Sequence, residues 1–206
     1  MNITFARGSH YQNSFVYNFF TFLKLRQEYQ LRYQIAAQHI RPGESVLDIC
    51  AGFGEFKDFL PSLCTYQVIE ASLAFNRQLA RRDIPYDWQN LHAGMNTRIP
   101  SVDVITMIIS LCQFQKTTCH RLLEDFKKVA KKIIIVEDVL PGQKKTPVLV
   151  EKVRDHLCAT DYYIPMQLFS ADQFRSVMKE HGYDCRQVNA RYWVGHYKAK
   201  SPREIN

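Results

Sequence analysis

Two short stretches hold residue types from which a ligand site can be built. In "SVLDICAGFGEF", residues 45–56, an apolar run carries one acid, Asp48, and Gly52 and Gly54 follow closely. A second apolar run, "TYQVIEA", ends on Glu70 and Ala71. Glycine lacks a Cβ, so the backbone of such a turn can lie directly against a ligand. An acid at a strand end can accept protons from an ammonium or from hydroxyl groups. A helix opening after the turn would favour an anionic group at its N-terminus.

Three ligand classes compete for a turn of this kind. A P-loop needs GxxxxGK followed by Ser or Thr, and the chain has no such run. A dinucleotide turn needs GxGxxG, but counting from Gly52 the third position falls on Lys57. Glu55 and Phe56 would also crowd a diphosphate. The remaining class is S-adenosylmethionine (SAM), which has an amino-acid end, a ribose and no phosphate. Asp48 suits its ammonium, directly or through water, and Glu70 suits both ribose hydroxyls.

The elements that must position these residues alternate between strand and helix. A helical pattern runs from Asn13 to about Ile40 and is stopped by "RPGE" at 41–44. "SVLDIC" reads as a buried strand, followed by the glycine turn and a helix around 55–63. "TYQVIEA" is a second strand, "LAFNRQLARR" a helix, and "DIPYDWQNLHAG" contains a third strand. "VDVITMIISL" and "KKIIIVEDVLP" are β-branched runs typical of strands covered on both faces, joined by the helix "HRLLEDFKKVA". After a loose region at 141–169, "SADQFRSVMKEHGY" is a helix with a capping box at Ser170 and Gln173 and a left-handed Gly182. "CRQVNA" and "YWVGHYKA" supply the last strands. The order predicts a doubly wound α/β sheet. Ligands of such sheets sit at the carboxyl ends of the strands, where the winding reverses. That gathers Cys50–Gly54, Glu70, His92 and the 108–113 turn around one crevice, with Glu137 and Asp138 at its far side.

Composition bounds the rest. With 206 residues, 46% of them hydrophobic, the chain fits one globular domain with appendages. Six cysteines at irregular spacing, with no CxxC pair, read as reduced and buried, which favours the cytoplasm. The formal charge of +7 is spread over small groups such as Arg81-Arg82 and Lys127-Lys128. Solvated helix faces account for most of it, and an anionic membrane surface is a candidate peripheral contact. No strong nucleic-acid motif accompanies the charge. "FVYNFFTFLKL" is too short and polar to span a bilayer and lacks a signal-peptide cleavage site.

"VLDICAGFG", "VIEAS", "DVITMIISL", "LLEDFKKVAKKIIIVEDV" and "LFSADQFRSVMKEHGY" together resemble class I, Rossmann-like SAM-dependent methyltransferases, in family order over roughly residues 30–200. The resemblance implies a seven-stranded, mostly parallel sheet with an antiparallel last strand. It implies a methyltransferase domain over 41–206, preceded by a helical extension or substrate lid over 1–40. It also implies that Asp48, Ala51, Gly52 and Gly54 hold the methionine part of SAM, and that Glu70, with Ala71 beside it, holds the ribose. Where many members have an acid-Ala pair near adenine, this chain has His92-Ala93, and His92 reads equally as an adenine contact or as a core or surface histidine. At Ile108, where relatives carry Ser or Asn, only backbone contacts remain. "YNFF" and "RPGESVLDICAGFGEF" are similar to ubiquinone/menaquinone C-methyltransferases.

Methyl transfer from a sulfonium is an in-line displacement with its leaving group already present, so positioning supplies most of the catalysis. A base is required only where the acceptor must lose a proton, and Glu137, Asp138, His10, His156 and His196 are candidates with no one of them singled out. The acceptor, a small or lipid-like molecule, is expected against Tyr11, Tyr17, Gln113, Glu137 and Asp138. No metal site is expected. Two other readings stand beside this one. The first is a catalytically silent SAM-binding scaffold. The second is a nucleic-acid methyltransferase, disfavoured because "SLCQFQ" stands where an NPPY-like tetrad would follow the fourth strand.

Overall fold

A computed structural model describes residues 26–91, 98–139 and 168–199. Seven strands form one sheet: β1 Ser45–Ile49, β2 Thr65–Ile69, β3 Tyr86–Asp87, β4 Val102–Ile108, β5 Ala130–Asp138, β6 Asp184–Gln187 and β7 Tyr192–Lys198. Their order across the sheet is β3-β2-β1-β4-β5-β7-β6. Pairings from β3 through β5 are parallel, and β7 is antiparallel to both β5 and β6. The winding reverses between β1 and β4, so the crevice of a doubly wound sheet falls at their carboxyl ends.

Among the described residues four helices cover the sheet: α1 Arg26–Ala37, α2 Leu73–Arg81, α3 Lys116–Val129 and α4 Ala171–Glu180. Successive strand residues point to opposite faces, and the apolar runs divide accordingly. Leu47, Ile105, Ile133 and Ile135 pack with Leu122 and Phe126 of α3 and Phe174 and Met178 of α4. Val46, Val104, Ile134 and Val136 pack with Tyr33, Ile35 and Ala36 of α1 and Leu79 of α2. The described part of the expected N-terminal extension therefore lies against the sheet.

Most expected elements are present, with three differences. The helix expected at 55–63 is only a 3-10 turn, Glu55–Phe59, because Pro61 holds Leu60 in an extended conformation (ψ 144°). The third strand is two residues long. Helix α3 starts at Lys116, before the expected "HRLLEDFKKVA", because the polar Lys116–Thr118 turn continues the same helix. Helix α4 has the expected capping box, with Ser170 Oγ accepting from Gln173 N–H and the Gln173 side chain accepting from Ser170 N–H.

Gly195 of β7 lies under α4. A Cβ there would collide with Met178 Sδ and stand 3.0 Å from its Cγ. Met178 is fully buried, so it has little room to move. Gly195→Val is expected to cost about 1–3 kcal/mol by overpacking, read as a lower urea midpoint with an unchanged slope.

Candidate active site

The glycine turn is left-handed at three positions: Cys50 (φ 58°), Gly52 (φ 59°) and Gly54 (φ 67°). Ile109, just past β4, is also left-handed, at φ 51°. A β-branched residue rarely adopts this conformation, and such strain collects where a fold shapes a site. The two strand ends are tied together, since Ser110 Oγ donates to Ile108 O at 3.1 Å and to Cys50 O at 3.4 Å. Arg82, at the end of α2, donates to Phe53 O at 3.0 Å and pairs with Asp58 at 2.6 Å. The turn is thus held from both sides.

Gly52 and Gly54 do different work. A Cβ on Gly54 would stand 2.7 Å from Ile84 Cδ1 and 2.8 Å from Leu79 Cδ2. Gly54 supplies the close helix–sheet packing that the third glycine gives a dinucleotide turn. A Cβ on Gly52 would meet no atom of the described residues within 4 Å. Gly52 faces open space, where a ligand can approach the backbone.

Glu70 is joined to this turn. Its Oε2 accepts from Gly52 N–H at 3.0 Å and its Oε1 from Ser72 N–H at 2.8 Å. Burial pushes its pKa up to about 7, although the Ser72, Gly52 and Ala71 N–H groups pull it down. Each carboxylate oxygen retains a further acceptor position. Ala71 is exposed, and its carbonyl accepts from the Trp88 indole N–H at 2.8 Å. Trp88, 42% exposed beyond β3, is a site candidate that the sequence reading passed over.

Asp48 points inward. Tyr66 OH donates to its Oδ2 at 2.7 Å and Thr106 Oγ1 to its Oδ1 at 2.8 Å. Burial pushes its pKa up to about 6, against these two hydrogen bonds. Its charge lies beneath the turn, with the carboxylate enclosed by β2 and β4. Ala51 is half-buried and packs against the α1-side core. The Ile108 side chain is buried in that same core.

On the acceptor side, Glu137 is fully buried. Its Oε2 accepts from Leu111 N–H at 3.0 Å and Cys112 N–H at 3.3 Å, and Oε1 accepts from Asp138 N–H at 3.3 Å. The structure therefore places Glu137 as the anchor of the 111–113 turn, its carboxylate oxygens bonded to backbone N–H groups. Gln113, half-buried, ends that turn, its N–H donating to Ser110 O at 3.1 Å. Asp138 pairs with Arg191 at 2.5 and 2.7 Å. Together with Tyr29, Arg32, Ile109, Leu168 and Tyr192, these two residues line a cavity of about 90 Å³ at the carboxyl ends of β4 and β5. His196 pairs in register with Ile134, four residues before Asp138 on β5, or about 13 Å away along the strand. That distance takes it out of the crevice. Tyr11, Tyr17, His92, Ala93, His10 and His156 lie outside the described residues.

The buried Glu137 makes a pH prediction. Burial pushes its pKa up to about 7, with the Cys112 thiol and the nearby N–H groups opposing. A folded-state pKa above the unfolded one means that its contribution to stability is full below about 4.5 and is lost as pH rises through about 7. Glu137→Gln removes this dependence. The variant's melting temperature is expected to gain on the wild type's between pH 5 and pH 8.5, by the equivalent of about 1–3 kcal/mol. A constant difference would contradict the assignment.

No protein-family model and no curated protein matches the chain. Solved structures do. The mitomycin 7-O-methyltransferase MmcR aligns over 91% of this chain and 59% of its own, with a TM-score of 0.61 and 14% identity. An O-methyltransferase family protein from Burkholderia thailandensis aligns over 98% of this chain and 66% of its own, at TM-score 0.67 and 13% identity. A DhpI–SAM–HEP complex aligns over 91% of this chain and 94% of its own, at TM-score 0.65 and 14% identity. The chain thus spans 59% and 66% of the first two proteins' lengths. Its fold is the Rossmann-like fold of SAM-dependent methyltransferases. The narrower likeness to quinone C-methyltransferases gains no support from these matches. No helix among the described residues is long and apolar enough to cross a membrane.

Proposed function

We propose that the protein is a SAM-dependent methyltransferase acting on a small or lipid-like acceptor. The observation that carries this reading is the bond between Glu70 and Gly52 N–H, which joins the open glycine turn to the acid at the end of β2. The residues present fit the cofactor. Gly52 leaves room for close approach, and Glu70 has acceptor positions for two ribose hydroxyls. Asp48 sets a negative potential under the turn for the ammonium. Bound SAM would supply an electrophilic methyl group on a sulfonium.

The chain's own residues then position and enclose. The tie from Ser110 to Cys50 O and Ile108 O fixes the spacing of the strand ends on either side of the crevice. Glu137 holds the 111–113 turn that forms its floor. The cavity at Tyr29, Arg32, Asp138 and Arg191 is the acceptor pocket of this reading. Its aromatic walls suit an apolar body, and Arg32 suits an anionic or hydrogen-bond-accepting substituent. Asp138, held by Arg191, orients that arginine along the pocket wall. The N-terminal extension over 1–40 would serve as the substrate lid of this reading.

The test is turnover. Purified protein with methyl-labelled SAM and a panel of phenols, hydroxyquinones and aromatic acids is expected to release S-adenosylhomocysteine (SAH) with at least one acceptor. SAH binding without turnover on any acceptor would favour the silent scaffold instead.

A further inference from the structure

Away from the crevice, the end of α4 meets α3 at a cluster of histidines and acids. His181 Nε2 lies 2.8 Å from His120 Nδ1, and Glu180 Oε1 lies 3.4 Å from that same His120 nitrogen. One ligand atom from each of His120, Glu180 and His181 falls within 4.8 Å of the others. On its other side, His181 Nδ1 meets Glu124 Oε1 at 2.5 Å. Lys127 Nζ also reaches Glu124 Oε1, at 2.6 Å, and His181 O, at 3.3 Å.

The tautomers follow from these contacts. Glu124, held ionised by Lys127, can only accept, so His181 carries its proton on Nδ1 and turns a bare Nε2 toward His120. A carboxylate behind a histidine is how metal-binding imidazoles are oriented. His120 Nε2 is buried without a partner, so the polar chemistry of that ring lies on its Nδ1 side. Glu180 is the last residue of α4, where the helix dipole favours a cation.

We infer that His120, Glu180 and His181 form a binding site for Zn²⁺, closed by water as fourth ligand and clamping α3 to the end of α4. Tetrahedral ligands about 2.0–2.1 Å from zinc stand about 3.3 Å apart. The His–His distance must open by about half an ångström, and Glu180, 59% exposed, is free to swing in. Two imidazoles and a carboxylate suit zinc and the neighbouring late metals over magnesium or calcium. Binding requires His120 to change tautomer, its proton moving from Nδ1 to Nε2, so that Nδ1 of His120 and Nε2 of His181 both face the metal as neutral imidazole donors.

Chelator-treated full-length protein titrated with Co²⁺, as a coloured proxy, is expected to show visible tetrahedral bands at one equivalent. Zn²⁺ should abolish them and raise the melting temperature. Glu180→Ala, at an exposed position, and His120→Ala should remove the bands. Glu124→Gln, which only orients His181, should weaken Zn²⁺ by about 10–100-fold. His39→Ala, in the separate His39–His196 pair, should change nothing. Absence of tetrahedral bands, or bands that survive Glu180→Ala, would overturn the site.

Discussion

Glu70→Ala is expected to remove SAH binding while leaving a folded protein. The Glu70 carboxylate touches both halves of the site, the turn through Gly52 N–H at 3.0 Å and the start of α2 through Ser72 N–H at 2.8 Å. Two ribose hydroxyls donating to an ionised, 7%-exposed carboxylate make charge-assisted hydrogen bonds. Their joint loss should cost about 3 kcal/mol or more, roughly a hundredfold in Kd. Glu70→Gln keeps the shape and one acceptor, so it should fall between alanine and wild type. The wild type should also show a pH signature. With a pKa near 7 in the free protein, Glu70 is partly protonated at neutral pH, and the ligand prefers the ionised form. Affinity should therefore rise as pH increases from 6 to 8, with proton release on binding, and the dependence should vanish in Glu70→Gln.

The second large effect separates the two glycines. Gly54→Ala places a Cβ 2.7 Å from Ile84 Cδ1 at φ 67°. Left-handed strain of about 1–2 kcal/mol adds to overpacking of about 1–3 kcal/mol. A loss of about 2–5 kcal/mol in urea unfolding is expected. Gly52→Ala meets no atom of the described residues within 4 Å, so backbone strain is the expected cost, about 1–2 kcal/mol. Its methyl group stands in the open space facing the crevice, so it should weaken SAH far more than it weakens the fold. Equal effects of the two variants on stability would contradict this division of labour.

Some of this was legible in the sequence, for physical reasons. The β-branched runs of β4 and β5 can be read because strands covered on both faces need no polar alternation. The Gly52–Glu70 relation can be read because both residues follow the carboxyl ends of adjacent parallel strands. Other features depend on contacts that no local pattern announces. An acid closing an apolar run reads as solvent-facing, yet Glu137 is fully buried, where it accepts from two backbone N–H groups of the 111–113 turn and from that of Asp138. Asp48 similarly turns inward to Tyr66 and Thr106. Gly54 reads in the sequence as a ligand glycine, and its packing against Leu79 and Ile84 is visible only in the fold. The helix after the turn is shorter than its apolar pattern implies because Pro61 keeps Leu60 extended.

The central claim is that the turn at Cys50–Gly54 and Glu70 form one SAM site. Isothermal titration of SAH into wild-type protein and Glu70→Ala at pH 8 tests it most directly. The account predicts binding at one site per wild-type chain and a loss of roughly a hundredfold or more in the variant. Absence of binding to the wild type, or equal affinity for both proteins, would contradict it.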